Sequence, residues 1–272
     1  MPSTSTPLDE ELQALCAANR LNDLKMLLQS RHSNDINYIP PINDILLAAT
    51  DSNAADIVNY CLSHGATVPG TTILRRLNVH VGSNGFDTYK VLIEAGVVNI
   101  DYYIPWFGDV LGIMADANNI DWVRYCLEHG ADPNKNLIEE YRTPLAAAAS
   151  NSNAEMVQLL LNYGAVINGS GAIVAAAEQG HGHIVELLLE NGANIDEIGV
   201  EGPPGDRRYE DLGSALHKAI VNGHEELAVW LIDVGASMDE GDGQGRIPEV
   251  LALQYDRRRV VDHIRRETGP DA

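Results

Sequence analysis

Apolar residues recur at helical spacing along this chain, and glycines interrupt them at regular intervals. Met156, Leu159, Leu160 and Tyr163 stand at positions i, i+3, i+4 and i+7, so they share one face of a helix. Gly164 follows directly, and a glycine in that place is typical of a helix that ends in the left-handed conformation. The pattern predicts an amphipathic helix that stops at Gly164.

The same arrangement returns several times. One motif occurs over residues 159–168, 187–196 and 230–239: an apolar residue, two further aliphatic residues, Gly-Ala and then Asn or Asp. Looser copies lie at 60–69, 91–99 and 125–134. The glycines that end these predicted helices are Gly65, Gly96, Gly130, Gly164, Gly192 and Gly235. A recurring period of this size predicts a stack of similar units, because each unit leaves an apolar face that only a neighbour covers.

A smaller, alanine-rich segment precedes each of these helices, as at residues 145–149 and 173–177. Small side chains allow neighbouring helices to approach closely, so these segments are predicted to form an inner row of helices. Polar turns at 150–154 and 179–183 connect the two helices of a unit. Each unit is therefore predicted to be a helix, a tight turn, a second helix and a loop.

Two inner segments begin alike, Thr143-Pro144-Leu145-Ala146-Ala147 and Ser214-Ala215-Leu216-His217-Lys218-Ala219. Together with the Gly223-His224-Glu225 turn and the Gly-Ala-x-x-Asn endings, they resemble ankyrin repeats. The resemblance implies an all-α ankyrin-repeat solenoid of about seven to eight helix-turn-helix units with finger loops. The predicted units are 8–37, 38–69, 70–101, 102–134, 135–168, 169–196, 197–239 and 240–267. They form a single domain over 8–267, with a frayed leader over 1–7 and a mobile tail over 268–272.

Some units depart from the family pattern. Residues 44–47, 73–76 and 109–112 replace the Thr-Pro-Leu-His start, so these helices must be capped in another way. The insertion 197–211 falls where a finger loop is expected. The last unit has the character of a C-terminal cap, because nothing stacks on it and arginines give it a polar outer face: Arg257, Arg258, Arg259, Arg265 and Arg266.

Charge and composition exclude several partners. The formal net charge is −21 and the isoelectric point is about 4.6, so nucleic acid and anionic membrane surfaces are repelled. No apolar run approaches the roughly 20 residues that a membrane helix requires. An intracellular, most of all cytoplasmic, location is therefore expected. The widely spaced cysteines Cys16, Cys61 and Cys126 have no ligand spacing, and they are predicted to pack in the core.

The sequence contains no strong catalytic or metal-binding motif. His181-Gly182-His183 offers two imidazoles, but it occupies an inter-helix turn and has no third ligand nearby, so no metal is expected. The glycines of 241–245 lack the lysine of a phosphate-binding loop, and no cofactor is expected. His217 matches the family histidine and is predicted to bond to the backbone.

The predicted concave face supplies the candidate binding residues. An aromatic cluster, Tyr102, Tyr103 and Trp106, would anchor a partner, although it could instead shield a degenerate repeat. A line of carboxylates at the ends of inner helices, Asp51, Asp116 and Glu178, would orient it, although a solvated acidic surface also explains them. The other candidates are Glu139, Tyr141 and Arg142 and, if the long finger folds over, Arg207, Arg208 and Tyr209.

These observations favour a non-catalytic binding scaffold that holds a protein partner with a basic segment in an acidic, aromatic-centred groove. The alternative is a cofactor-independent enzyme of the isomerase, cyclase or hydratase type. Its carboxylates would act as acid and base on a small apolar molecule in a pocket derived from the groove. Whether the chain is an enzyme is therefore open, with a non-enzymatic role favoured.

Overall fold

The computed structural model describes residues 9–33, 39–77, 86–103, 108–138, 142–199 and 212–269. The chain divides into two compact units, Met1–Ile100 and Asp101–Ala272. In the described ranges all regular structure is helical, apart from one isolated antiparallel bridge between Ile138 and Arg142. The predicted all-α fold of paired helices is confirmed, whereas the boundaries drawn for the domain and its repeats stay a prediction.

The described residues of the first unit form three pairs of helices. They are α1 (Glu10–Ala17), α2 (Leu21–Ser33), α3 (Ile42–Asp51), α4 (Ala55–Ser63), α5 (Gly70–Leu77) and α6 (Phe86–Glu94). The odd-numbered helices pack in series, α1 on α3 and α3 on α5, and the even-numbered helices form a second row from α2 to α6. This unit is therefore built of two layers of helices.

Where it is described, the second unit repeats the plan with five pairs. They are α7 (Val110–Asp116), α8 (Ile120–Glu128), α9 (Pro144–Ser150), α10 (Ala154–Asn162), α11 (Ala172–Glu178), α12 (Gly182–Glu190), α13 (Ala215–Asn222), α14 (Glu225–Asp233), α15 (Pro248–Gln254) and α16 (Arg258–Glu267). The odd-numbered helices contact one another in order from α7 to α15. Their alanines, such as Ala147, Ala148 and Ala149 in α9, are buried, which permits the close stacking.

The glycines predicted to end the second helices do so. All six have a positive φ, between 68° and 101°. In each copy the glycine N–H donates to a carbonyl three residues earlier, and the next N–H donates to one five residues earlier; Gly164 and Ala165 bond in this way to Leu161 and Leu160, both at 3.0 Å. This is the Schellman motif, which satisfies carbonyls that the last helical turn leaves open.

One of these two bonds joins an N–H to a carbonyl five residues earlier. The residue that carries this carbonyl is fully buried in all six copies. It is Cys61, Leu92, Cys126, Leu160, Leu188 or Leu231. Cys61 and Cys126 thus occupy the place of a core leucine, and Cys16 is equally buried. Burial raises the pKa of the Cys16 thiol to about 11 and the pKa of each of the other two to about 12. The prediction that the cysteines are core residues is confirmed.

Each tight turn between paired helices contains one residue with positive φ, which we call the turn residue. In the described part of the chain these are Asn19, Asn53, Asn118, Ser152, Gly180, Gly223 and Asp256. The residue that follows often reaches back to the preceding pair: Nε2 of His181 lies 3.0 Å from the carbonyl oxygen of Ser150, and Nε2 of His224 lies 3.0 Å from that of Glu178. These imidazoles therefore join successive pairs of helices.

A ladder of Asn and Asp side chains joins the loops that follow the second helices. Asn134 accepts from the backbone N–H of Val166 at 2.8 Å and donates to the carbonyl of Gly164 at 2.9 Å. Asn168 accepts from the N–H of Asn194 at 2.8 Å in the next loop. The Asn/Asp that closes the sequence repeat is therefore a hydrogen-bonding link between successive repeats.

The degenerate start at residues 109–112 has its own cap. Thr143 begins α9 by accepting from the N–H of Ala146 at 3.0 Å, and Asp109 begins α7 in the same manner, accepting from Gly112 N–H at 2.8 Å. Asp109 also accepts from Nδ2 of Asn136 at 2.7 Å. Because its carboxyl is buried, its pKa is raised above the ordinary value of 3.8 in spite of these hydrogen bonds.

The buried carboxyl gives a prediction for pH. The unfolded chain loses the Asp109 proton above about pH 4, whereas the folded chain holds it to a higher pH because the pKa is raised. The stabilisation of the folded chain that this bound proton provides at low pH is therefore lost as the pH rises through the folded-state pKa. Replacing Asp109 with Asn should remove this loss. Urea unfolding from about pH 4 to pH 7 should then show the variant gaining on the wild type. Equal pH slopes for Asp109→Asn and the wild type would contradict the assignment.

The structure corrects the prediction for the last unit. Arg258, Arg259, Arg265 and Arg266 are exposed as expected, but Arg257 is half-buried. Its Nε donates to the carbonyl of Ile220 at 3.0 Å, which gives it the linking role of His181 and His224. Arginine at this position therefore serves the stack instead of the solvent surface.

Candidate functional site

The three carboxylates of the predicted line occupy equivalent places in their repeats. Asp51, Asp116 and Glu178 are the last residues of α3, α7 and α11. Each stands two positions before its turn residue, respectively Asn53, Asn118 and Gly180. The repeat geometry therefore gives these side chains a common placement, although Asp51 belongs to the first unit and the other two to the second.

Each of these carboxylates is paired with a basic side chain of the following repeat. Asp51 pairs with Arg76, Asp116 pairs with Arg142 at 2.5 Å, and Glu178 lies 3.3 Å from Nζ of Lys218. In every pair the carboxylate is the more exposed member: the side-chain exposures are 46% for Asp116 against 26% for Arg142, and 43% for Glu178 against 17% for Lys218. The carboxylates are thus partly neutralised but still face the solvent.

Two of the pairs border a groove in the second unit, formed across α9, α11 and α13. The groove has a volume of about 420 Å³, and Arg142 and Lys218 lie on its border. Small side chains form much of its lining, among them Ala146, Ser150 and Ala175. A surface of this kind can receive another chain closely, because few side chains project from it. We call it the groove.

The ends of the long finger also line the groove. Gly199 and Leu212 contribute to it, and they flank residues 200–211, which lie outside the described residues. The predicted site residues Arg207, Arg208 and Tyr209 belong to this segment. Glu197 belongs to the buried base of this finger, because its Oε1 accepts from the N–H of Gly171 at 2.8 Å. The insertion therefore begins from a fixed point beside α11.

The aromatic candidates are described only in part. Tyr102 is half-buried and Tyr103 is 36% exposed, whereas Trp106 lies outside the described residues. Glu139 and Tyr141 are outside them as well. Ile138 and Arg142 exchange two backbone hydrogen bonds, of 2.8 and 2.9 Å, across these two positions. This bridge holds Arg142 beside its partner Asp116.

The histidines have structural partners. His217 Nδ1 accepts from the backbone N–H of Ser214 at 3.2 Å and lies 2.8 Å from its hydroxyl, which confirms the predicted backbone bond. Burial lowers the pKa of this imidazole. His181 links two repeats, and across the described ranges no three His, Cys, Asp or Glu side chains gather in a way that could hold a metal ion.

Sequence reasoning missed most of the groove lining. Ala146, Ala175 and Gly171 carry no chemical signal, since small residues in an inner helix are equally explained by packing. Lys218 belongs to the pattern of a repeat start, yet it pairs with a carboxylate 40 positions earlier in the chain. Only the order in which the helices stack brings these residues together.

Paired helices, left-handed glycine stops and loops joined by Asn and Asp side chains define a helical repeat protein with a groove along its first helices. Residues 111–198 match the family model for ankyrin repeats (3 copies). This part of the chain is therefore similar to ankyrin repeats. None of the described helices has both the length and the apolar character needed to cross a membrane.

Three relatives are similar to parts of the chain. Human ankyrin repeat and SOCS box protein 11 is 34% identical over 97 residues, which are 33% of this chain and 29% of the relative. The protein of the same name from Pongo abelii is 38% identical over 74 residues, 27% of this chain and 22% of the relative. Human transient receptor potential cation channel subfamily A member 1 is 26% identical over 268 residues, 81% of this chain and 23% of the relative. The chain thus spans less than a third of each relative.

Proposed function

We propose that this chain is a non-catalytic binding protein that holds a segment of a protein partner in the groove. One observation carries the proposal: in the described residues the groove has a lining rich in small residues, and two ion pairs stand on its border. A preformed trough reduces the conformational cost of binding an extended segment. The resemblance to ankyrin-repeat proteins supports it, since such repeats generally mediate contacts between proteins.

The exposed carboxylates favour a partner segment with Lys or Arg. Among the described residues, Arg142 pairs with Oδ1 of Asp116 and Lys218 with Oε1 of Glu178, which leaves the second oxygen of each carboxylate outside these ion pairs. Each carboxylate is also the more exposed member of its pair. A basic side chain of the partner can approach these oxygens, and the net charge of −21 attracts it from a distance. The expected partner is therefore a protein with a basic segment.

Tyr103 is a further candidate for contact with the partner. Its ring is exposed, and an exposed tyrosine offers apolar contact together with a hydroxyl group. We propose that it contributes to the partner site together with Tyr102 and Trp106. The enzyme alternative stays a hypothesis, because the aromatic segment and the long finger that would close a pocket lie largely outside the described residues.

Filling the groove should weaken binding without disturbing the fold. Ala175 lines the groove from the middle of α11 and is half-buried, so an arginine there can extend into the trough, and arginine is a good helix former. Peptides selected from a random display library on the wild-type protein serve as probes. We expect Ala175→Arg to weaken their binding at least about tenfold, which corresponds to about 1.4 kcal/mol.

The matched control is Gln158→Arg on α10, which adds the same side chain at another half-buried position outside the groove lining. It should leave affinity unchanged, and both variants should melt like the wild type. The selected peptides should be rich in Lys and Arg, and their affinity should fall with rising salt, less steeply for Glu178→Gln. Undiminished binding by Ala175→Arg would place the site elsewhere, and selection of neutral peptides would remove the basic segment from the proposal.

A further inference from the structure

The first helices of successive pairs bury two equivalent positions, three and six residues before the turn residue. Three residues before it stand Ala149, Ala177 and Ile220, each with 0% exposure. Six residues before it stand Ala146, Val174 and His217, with exposures of 4%, 5% and 3%. These helices, α9, α11 and α13, each have a following first helix packed on them. Burial at both positions is therefore shared by these three helices of the second compact unit, whereas in α3 the equivalent Leu47 is only half-buried.

Helix α15 is the first helix of the final pair in the described residues. It has the same two positions, but they are not buried to the same extent. Counting back from the turn residue Asp256 gives Leu253 and Val250, which are 54% and 46% exposed. In the described residues α15 packs on α13 and α16, with no further pair after it. Two aliphatic side chains one helical turn apart thus remain open where earlier repeats bury the equivalent residues.

In the described residues, α15 also lacks a donor for the hydrogen bond that joins successive pairs of helices. Two positions before the turn residue, the carbonyls of Ser150, Glu178 and Val221 accept from His181, His224 and Arg257 of the next pair, at 3.0, 3.0 and 3.2 Å. The equivalent residue in α15 is Gln254, which is exposed and has no following pair in the described chain to supply such a donor. The end face, defined as Val250, Leu253 and the carbonyl of Gln254, therefore keeps both parts of the stacking interface.

We propose that the end face binds a helical segment of a partner protein, which continues the stack as a further pair of helices would. The partner helix carries a stripe of alanine or other small aliphatic residues that covers Val250 and Leu253. A His, Asn or Arg near it donates to the carbonyl of Gln254, as three residues of this chain do for the preceding repeats. The occupant follows from continuity with the interface that already joins α9, α11, α13 and α15.

The charged surroundings fit this use of the end face. Arg265 of α16 donates to Glu249 of α15 at 2.8 Å, and Arg258 and Arg259 are exposed nearby in sequence. Interfaces between proteins commonly combine an apolar centre with a polar margin of this kind. The end face is distinct from the groove, so the two can be tested independently.

The test supplies a known helical pair at high effective concentration. A second copy of residues 171–193, which contain α11, α12 and the donor His181, is fused after residue 272 through a flexible Gly/Ser linker; such a linker gives local concentrations on the order of millimolar. In the native chain this pair stacks on α9. We expect the fusion to raise the melting temperature by about 3 °C or more over the unfused chain.

Substitutions identify the surface responsible. Leu253→Glu in the fusion should abolish the rise, and replacing the histidine of the appended copy with Ala should reduce it. Val234→Glu is the matched control, because Val234 is also an exposed aliphatic residue, at 46%, but lies at the end of α14. In the unfused chain, Leu253→Glu should leave the melting temperature unchanged, since the side chain is already exposed.

Each other outcome overturns the proposal. No rise in the fusion, or a rise that survives Leu253→Glu, means that the end face does not accept a helical pair. Loss of several degrees in unfused Leu253→Glu means that this leucine stabilises its own repeat. If sedimentation of the unfused wild type shows a dimer that Leu253→Glu dissociates, the occupant is a second copy of this chain and not a partner protein.

Discussion

Replacing Leu188 with Ala is expected to lower the free energy of unfolding by about 2–5 kcal/mol. Leu188 is fully buried in α12, and its carbonyl accepts the hydrogen bond from Ala193 that closes the Schellman turn. Removing most of its side chain leaves a cavity between packed helices, and a repeat protein passes such a loss to its neighbours because each unit depends on the next. Urea unfolding followed by circular dichroism measures the change.

Leu189→Ala provides the comparison within the same helix. Leu189 is only half-buried, so its truncation should cost clearly less than that of Leu188. Both variants replace Leu with Ala in the same helix, so they change the helix propensity equally. The difference in stability between them therefore reports the effect of burial. Similar unfolding midpoints for Leu188→Ala and the wild type would mean that this position does not support the core.

The second large effect is expected at Gly180, the turn residue between α11 and α12. Its φ is +76°, and a Cβ on it would lie 2.5 Å from Nδ1 of His224. Gly180→Ala therefore imposes an unfavourable backbone conformation and displaces the imidazole from the carbonyl of Glu178. We expect a loss of at least about 2 kcal/mol in the free energy of unfolding, the sum of the left-handed strain and the broken bond.

Ser152 gives the reciprocal experiment, because it is the turn residue of the preceding pair and is not a glycine. Its φ is +60°, a conformation that costs a serine more than a glycine. Ser152→Gly should raise stability by up to about 1 kcal/mol, since relief of strain exceeds the added entropy of the unfolded chain. Thermal unfolding of both variants tests the pair: changes of the same sign would show that left-handed backbone strain is not the deciding factor.

Local chemistry made the fold readable from the sequence. The glycines at 65, 96, 130, 164, 192 and 235 marked helix ends correctly, because only glycine adopts a positive φ there without strain. The equivalence of Cys61, Cys126, Leu160 and Leu188 was also visible from the repeated pattern, and all four are buried. Such features depend on neighbours within a few residues, which a repeat displays several times.

The candidate site was less accessible to sequence reasoning. The line of Asp51, Asp116 and Glu178 could be placed at helix ends by counting, but its basic partners are 25, 26 and 40 positions away in the chain. Nor did the pattern indicate that Arg257 points back into the stack while Leu253 remains exposed. Pairing and exposure depend on which repeat lies next in space.

The sequence by itself determined the paired helices, their stops and the apolar positions of the core, because backbone conformation and helical periodicity are local properties. The tertiary structure decided which charges are neutralised, which small residues line the groove and which apolar residues at the end of the stack stay uncovered. These are relations between neighbouring units. A repeating pattern assigns the same role to each copy, and only the position of a copy in the stack determines whether that role is fulfilled.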